Sequence, residues 1–279
     1  MARIEVKASA VNAHVASVWV EIKNITDAQV KKIKTTLRNE IKNTRSIYDA
    51  IASTYLFSVK LAPQANPSDI WHHVIYREML NLGYNSQQWA RNSGRALEVF
   101  LCKFYKERLK SLNLRMRQLT KQESDTIFEA LRFRKRIQNS KVDCIIEKKL
   151  QGNKWDLVAG VHVKASIAER IQNDVPVSLA LIDAGILSLV LTLDCKSFPP
   201  PHGDGINYGE LGGRSWGERQ GDRRKREYIE TDGHFDALFS FNLRTPPSDK
   251  ACAKKIYTLG FDKNPDAFMQ FLIEKLRLR

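Results

Sequence analysis

The sequence predicts an α/β fold in which a mixed central β-sheet is flanked by helices. The first observation is a strand–turn–strand–helix pattern over residues 141–170, where Gly152 and Asn153 supply turn residues that tolerate positive φ. The second is a largely apolar run over residues 186–193, which is typical of a buried strand. The third is a series of apolar stripes at helical spacing before and after these strands, which predicts helices that pack on a sheet.

The first 90 residues predict a mainly helical part. Alternation over residues 2–7 indicates a short strand, and residues 26–41 have apolar positions at helical spacing. Residues 47–61 fit either a second helix or a strand. After a proline-containing loop at 63–67, Ser68 and Asp69 predict the cap of a helix that Gly83 terminates. We therefore expect one domain over residues 1–279, with a helical part to about residue 90 and a core from about residue 91.

The next predicted helix begins near Asn92 and carries an apolar stripe through Leu97, Leu101 and Phe104. Glu98 lies next to this stripe, where its simplest role is a favourable interaction with the helix dipole. Residues 111–140 are strongly basic, including Arg115 and Arg117, and predict a helix pair. Their arginines fit either contacts with a polyphosphate backbone or an ordinary solvated surface.

The C-terminal third begins with a long predicted loop over residues 198–233, rich in glycine, proline and charge. A loop of this length in a compact domain is usually functional or disordered. Residues 235–242 predict one more strand. Asp266 predicts the cap of a final helix, with Phe268 and Phe271 in its packing stripe.

Charge is the most informative bulk property, since 45 Lys and Arg against 31 Asp and Glu give the 279 residues a net charge of +14. Such an excess favours a polyanionic partner such as nucleic acid. An acidic membrane surface is the rival partner, but no apolar run approaches 18 residues and no basic amphipathic helix stands at either end. The four cysteines are isolated, which argues against a structural zinc site or a disulfide framework. We expect a cytoplasmic protein that does not bind membranes.

Three short motifs together resemble the PD-(D/E)xK nucleases. They are Val142-Asp143, His162-Val163-Lys164 at the end of the next predicted strand, and Ala168-Glu169-Arg170-Ile171-Gln172-Asn173 at a helix start. Within that superfamily the chain most resembles type II restriction endonucleases whose targets contain CCGG or CCNGG. The resemblance covers roughly residues 95–194, and each motif alone also fits an ordinary α/β core with a surface aspartate and lysine. The resemblance implies a restriction-endonuclease-like fold and a bacterial or archaeal cell.

The resemblance implies a Mg²⁺-dependent site with Asp143 as the primary ligand and Lys164 stabilising developing negative charge. It also implies that a glutamate from the preceding helix, here Glu98, reaches the site. The position two residues before the lysine usually carries an acid, but here it is His162. In the CCGG group a glutamate on the following helix replaces that acid, and the register places the replacement near Val177, which is apolar. Asp174 is the alternative second carboxylate.

The resemblance further assigns base recognition to Glu169 and Arg170, because a carboxylate accepts from cytosine and a guanidinium forks onto guanine. Ala168 stands where the family has another arginine. Glu169 also fits a simpler role as the capping-box partner of Ser166. The remaining candidates for DNA backbone or outer contacts are Ser166, Arg214, Arg219, Arg223 and Arg224.

A rival active site follows, because Asp183, Asp194 and Lys196 also match an Asp…Asp-x-Lys pattern. Asp194 ends a predicted buried strand, as the motif requires. The match lacks the hairpin and the following helix, since three prolines begin at residue 199. We therefore favour the earlier site.

The implied function is Mg²⁺-dependent cleavage of double-stranded DNA at a palindrome containing CCGG. A two-fold target is most simply read by a homodimer. Two alternatives stay open: a non-catalytic DNA-binding protein on a nuclease scaffold, motivated by the missing acids at 162 and 177, and a repair nuclease without sequence preference.

Overall fold

The structure is a computed structural model that describes residues 1–6, 18–130, 142–167, 171–195, 208–211 and 220–278. It begins with strands β1 (Ala2–Val6) and β2 (Val18–Ile22), which pair antiparallel as a separate two-stranded sheet. Helices α1 (Asp27–Asn43) and α2 (Ile47–Leu61) follow. The chain next forms the short helix α3 (Pro67–Asp69), a π-helical segment (Ile70–Tyr76) and α4 (Arg77–Asn81), before the long helix α5 (Ser86–Lys110).

The N-terminal helices form because the spacing of apolar residues and the capping residues specify the same helical segments. Thr26 and Gln29 make a reciprocal capping box at the start of α1, which satisfies amide groups that would otherwise lack partners. Residues 47–61, which the sequence left open between helix and strand, form a helix capped by Ser46. Its buried side chains Ile51, Tyr55 and Val59 recur every four residues and face the core.

Two predicted helix starts were wrong, each because a better cap lies upstream. The side chain of Asn66 accepts from the backbone N–H of Ser68, so that Ser68 is buried within the first turn rather than capping it. Helix α5 begins at Ser86, where Asn85 and Gln88 form a capping box. Asn92 therefore lies inside α5 and donates to the carbonyl of Gln88.

A six-stranded sheet forms the centre of the fold in the order β3-β4-β5-β6-β7-β8. The first three strands pair antiparallel, and the last three join β5 in parallel. The strands are β3 (Leu114–Gln118), β4 (Cys144–Lys149), β5 (Trp155–Lys164), β6 (Leu187–Thr192), β7 (Ala237–Ser240) and β8 (Lys255–Thr258). The mixed sheet flanked by helices confirms the predicted fold class.

Three segments differ from the prediction. Arg115 and Arg117 lie on strand β3 rather than on a helix, and the only helix described in that basic region is α6 (Lys121–Ala130). Residues 131–141 lie outside the described part. Helix α8 (Gln220–Glu230) occupies part of the predicted long loop, and β8 was not anticipated. Both depend on packing between segments that local spacing does not reveal, since β8 pairs with β7 and α8 contacts β8.

Helix α7 (Ile171–Asp183) lies on one face of the sheet. The last helix of the chain described by the structure is α9 (Ala267–Lys275). Leu181 of α7 packs so closely on β5 that a Cβ added at Gly160 would lie 2.5 Å from its Cδ1 atom. The capping aspartate of α9, Asp266, accepts from the backbone N–H of Met269, as predicted. Apolar side chains from the N-terminal helices and from the sheet share one buried cluster, which includes Trp71, Phe100, Val161 and Phe239.

The parallel register brings the carboxyl ends of four strands to one edge. Lys164 of β5 pairs with Thr192 of β6, which pairs with Ser240 of β7, which pairs with Thr258 of β8. Ligand sites in α/β sheets usually lie at this edge. Within the described residues, no helix combines the length and apolarity needed to cross a bilayer.

Candidate active site

Asp143 and Lys164 meet at one end of the β4–β5 hairpin, as the sequence predicts. The turn forms at residues 151–153 with Gly152 at a φ of +69°, and the register pairs Cys144 with Val161. Asp143 immediately precedes β4, and its Oδ2 atom accepts from the backbone N–H of Val163 at 2.8 Å. The same oxygen lies 3.2 Å from Lys164 Nζ. The two side chains therefore converge rather than point to opposite faces.

Asp174 of α7 brings a second carboxylate to the same lysine, with its Oδ2 atom 2.8 Å from Lys164 Nζ. The ammonium group thus contacts two carboxylates from different elements. All three side chains retain limited access to solvent, at 18% for Asp143, 10% for Asp174 and 16% for Lys164. The position predicted by register, Val177, is fully buried in an apolar cluster with Val142 and Leu181. The helix therefore presents Asp174, one turn earlier, to the site.

The electrostatics of this cluster follow from burial and mutual attraction. Burial alone would lower the pKa of Lys164, but the Asp143 and Asp174 carboxylates outweigh it and raise that pKa. Burial raises the pKa of Asp174, and the attraction of Lys164 offsets only part of this. Lys164 is therefore a firmly protonated cation at neutral pH.

His162 occupies the position where the commonest form of the motif has an acid, and it is completely buried. Its Nδ1 atom lies 3.7 Å from Asp174 Oδ2, and its Nε2 atom lies 3.4 Å from Ser188 Oγ. Burial, with a smaller effect from Lys164, lowers the pKa of His162 to about 3. The ring is therefore neutral, and the second carboxylate beside Lys164, after that of Asp143, comes from α7 instead of from β5.

Glu98 lies on α5, where two donors fix its carboxylate. Arg95 Nη1 donates to Glu98 Oε2 at 3.0 Å, and Gln118 Nε2 donates to the same oxygen at 2.9 Å. Burial, followed by repulsion from Asp143, raises the pKa of Glu98, so these two carboxylates interact electrostatically. The Arg95 contact follows from i,i+3 spacing on a helix, whereas Gln118 could not be found because β3 was predicted as helix.

Hard oxygen donors make this cluster suitable for Mg²⁺, which often binds through one or two carboxylates together with substrate phosphates and water. Asp143 and Asp174 are partly accessible and come from different elements. Among the residues that the structure describes, no three His, Cys, Asp or Glu side chains converge as a closed metal cage. The donor set thus fits an open site that includes phosphate oxygens rather than an all-protein one.

Comparisons with known proteins identify the family of this chain. The sequence model of the family described as BsaWI restriction endonuclease type 2 matches residues 116–265. The type II restriction enzyme AgeI of Thalassovita gelatinovora is 41% identical over 238 residues, covering 82% of this chain and 84% of that protein. A crystal structure titled as a specific complex of restriction endonuclease AgeI with DNA superposes with a TM-score of 0.87 at 34% identity, covering all of both chains.

The chain belongs to the type II restriction endonucleases. The enzyme is accordingly a site-specific deoxyribonuclease that cleaves DNA in a sequence-specific manner, and its sheet and helices match the fold of AgeI. This settles the choice of class that the sequence left open between a site-specific nuclease, a non-catalytic DNA-binding protein and a non-specific repair nuclease.

The two aspartates of the rival site in this restriction endonuclease lie on either side of a strand. Asp183 ends α7 and precedes β6, whereas Asp194 follows β6, so the strand separates them. Asp194 is fully buried; its Oδ1 atom accepts from the backbone N–H of Glu210 at 2.6 Å, and its Oδ2 atom accepts from Thr245 Oγ1 at 2.8 Å. Lys196 lies outside the described residues. Asp194 therefore connects loops instead of facing a substrate.

The predicted base readers of the enzyme, Glu169 and Arg170, lie outside the described residues, as do Arg214 and Arg219. Ser166 lies in the bend between β5 and α7, half-buried. The helix that follows is described from Ile171, so the predicted capping-box partner of Ser166, Glu169, lies outside the described residues. Arg223 and Arg224 lie on α8, and their side chains fall outside the description.

Arg115 and Arg117, which the sequence suggested as possible contacts to the DNA backbone, form ion pairs with glutamates of the protein itself. The Nε atoms of Arg115 and Arg117 donate to Glu147 Oε2 at 2.7 Å and 2.9 Å, and Arg117 also donates to Glu123. Arg115 additionally lies over the ring of Trp155. These contacts join β3 to β4 and give both arginines a structural role.

Proposed function

We propose that this restriction endonuclease cleaves double-stranded DNA at a palindrome containing CCGG, using Mg²⁺ held by Asp143 and Asp174. The observation that carries the proposal is the convergence of these two carboxylates on Lys164 at the end of β5. The two carboxylates and one ammonium carry a net charge of minus one when ionised. A DNA phosphate would add negative charge, so a divalent cation favours its approach.

Each residue has a distinct role in this proposal. Mg²⁺ would polarise a phosphoryl oxygen of the scissile phosphate and lower the pKa of a nucleophilic water. Asp143 and Asp174 supply its carboxylate ligands, and Lys164 holds a positive charge where negative charge develops on the phosphate. Glu98, held by Arg95 and Gln118, contributes a third carboxylate from α5.

We propose that Glu169 and Arg170, which precede α7 in the sequence, recognise the bases of the target. Each bidentate arginine–guanine pair is worth roughly 1–3 kcal/mol of discrimination. Ser166, which follows β5, and the basic residues Arg214, Arg219, Arg223 and Arg224 of the later segment would supply backbone or outer contacts to the DNA. A homodimer, in the cytoplasm of a bacterial or archaeal cell, would present two copies of this reader to a two-fold target.

The test uses two matched DNA duplexes, one with CCGG and one with these four bases scrambled. With Mg²⁺, the proposal expects discrete products from the first duplex and none from the second. Cleavage of both would exclude the proposed recognition sequence, and cleavage of the CCGG duplex without any divalent cation would exclude the metal role.

A sedimentation experiment with and without the CCGG duplex tests the proposed homodimer. If the protein is a homodimer, two chains should sediment with each DNA duplex.

A further inference from the structure

Two thiols lie next to each other, close in the chain to the proposed catalytic residues Glu98 and Asp143. The Sγ atoms of Cys102 and Cys144 are 3.8 Å apart, and both cysteines are free. Cys102 follows Glu98 by one turn of α5, whereas Cys144 is the first residue of β4, immediately after Asp143. The thiol pair therefore connects the two elements that carry two of the proposed catalytic acids.

The two sulfur atoms are close to each other but are too far apart to be bonded as a disulfide. A disulfide requires a sulfur–sulfur distance of about 2.05 Å, so the two atoms must approach by roughly 1.7 Å. Side-chain rotation together with a small displacement of α5 against β4 can supply a movement of that size. Cys144 is completely buried, and Cys102 is only half-buried. Cys102 is thus the thiol that a reagent in solution reaches first.

We propose that Cys102 and Cys144 form an oxidation site, in which a small-molecule disulfide converts the two thiols into a disulfide that suppresses DNA cleavage. The effect on cleavage rests on the proposed function, because it depends on the roles of Glu98 and Asp143. The formation of the bond does not depend on those roles. The structure holds both cysteines as free thiols, and disulfides that form in cytosolic proteins are usually transient and catalytic or redox-sensing.

The exchange is balanced in two steps. The Cys102 thiolate, after losing its proton to solvent, attacks one sulfur of the small disulfide, and the other half leaves as a thiolate that takes up a proton. The Cys144 thiol then loses its proton, its thiolate attacks the Cys102 sulfur of the mixed disulfide, and the second half leaves as a thiolate that takes up a proton. The two protein thiols are oxidised by two electrons, and the small disulfide is reduced to two thiols.

The disulfide would slow catalysis by displacing Glu98 and Asp143 from their positions in the site. It joins α5 one turn beyond Glu98 to the residue that follows Asp143, and closing it moves these segments together. A displacement of about 1 Å at a catalytic group can cost about 100-fold in rate. We expect oxidised enzyme to cleave DNA about 10- to 100-fold more slowly than reduced enzyme.

The first experiment detects the bond itself. The wild-type chain is incubated with oxidised glutathione, free thiols are blocked, and peptides are mapped by mass spectrometry. The proposal expects a Cys102–Cys144 linked peptide that dithiothreitol removes, and expects none in Cys102→Ser or in Cys144→Ala. Cys252→Ser is the matched control, since Cys252 is also half-buried but its loss should leave the linked peptide unchanged. Absence of the linked peptide from folded wild-type chain overturns the proposal.

The second experiment measures cleavage of plasmid DNA before oxidation, after oxidation and after reduction. The proposal expects loss and recovery in the wild type and in Cys252→Ser, with Cys102→Ser insensitive throughout. A mapped disulfide without a change in rate overturns the regulatory effect. If reduced wild-type protein cleaves no DNA at all, the proposed function fails, while peptide mapping still decides whether the oxidation site exists.

Discussion

Two aspartates at neighbouring strand ends differ in how the protein satisfies their oxygens. Asp143 lies beside the end of β5, keeps some solvent access and contacts Lys164, which is itself shared with Asp174. Asp194 follows the adjacent strand β6 and is fully buried, with donors from Glu210 and Thr245. Both matched an Asp…Lys pattern in the sequence. A carboxylate saturated by internal donors stabilises loops, whereas one near a cation and solvent can receive a metal ion and a phosphate.

Asp143→Asn should have the largest effect on cleavage if Asp143, and not Asp194, binds the metal ion. This change keeps the size of the side chain but removes its charge. We expect cleavage with Mg²⁺ to fall about 1,000-fold, since losing a metal ligand forfeits several kcal/mol of transition-state stabilisation. Binding of the CCGG duplex, measured by gel shift without divalent cation, should persist. Asp156→Asn is the matched control, because Asp156 is an exposed aspartate on β5. Equal cleavage by the two variants would remove Asp143 from the site.

Asp174→Asn tests whether α7 supplies the second carboxylate. We expect roughly a 100-fold loss of cleavage, together with a higher Mg²⁺ concentration at half-maximal rate, because one proposed ligand and one partner of Lys164 are lost. Asp183→Asn changes an exposed aspartate at the end of the same helix and should cleave normally. An unchanged Mg²⁺ dependence in Asp174→Asn would contradict the proposed ligand role.

Asp194→Ala should affect stability rather than catalysis. Two buried donors lose their acceptor, and the free energy of unfolding should fall by about 3 kcal/mol in chemical denaturation. The rate of cleavage per folded molecule should stay within a few-fold of wild type at a temperature where the variant is folded. A folded Asp194→Ala protein that binds but does not cleave DNA would reverse the choice between the two sites.

The pH dependence of stability should also identify Asp194. Burial raises the pKa of Asp194 from its ordinary value of 3.8 to about 6, so the folded chain holds this proton more tightly than the unfolded chain. Its contribution to stability is full below the unfolded pKa and is lost as pH rises through the folded pKa. Relative to Asp194→Asn, wild type should lose roughly 2 kcal/mol of unfolding free energy between about pH 4.5 and 7. A constant difference across this range would contradict the raised pKa.

The hairpin that carries Asp143 and Lys164 could be predicted because its information is local. Gly152 and its neighbours fix the turn, and the turn fixes which ends of the two strands meet. Strand β3 was missed although Leu114 and Met116 alternate with arginines, since the dense basic charge resembled a solvated helix. Its arginines gain their partners only when β4 brings Glu147 alongside.

By itself, the sequence determined the fold class, the pairing of Asp143 with Lys164 and the nuclease family, because these depend on short-range spacing and residue type. Only the tertiary structure decided that Asp174 faces Lys164 while Val177 enters the core, since the packing of α7 on the sheet sets the rotation of that helix. It also decided that Asp194 is satisfied internally. Both outcomes depend on contacts between residues far apart in sequence, whose energies no local pattern contains.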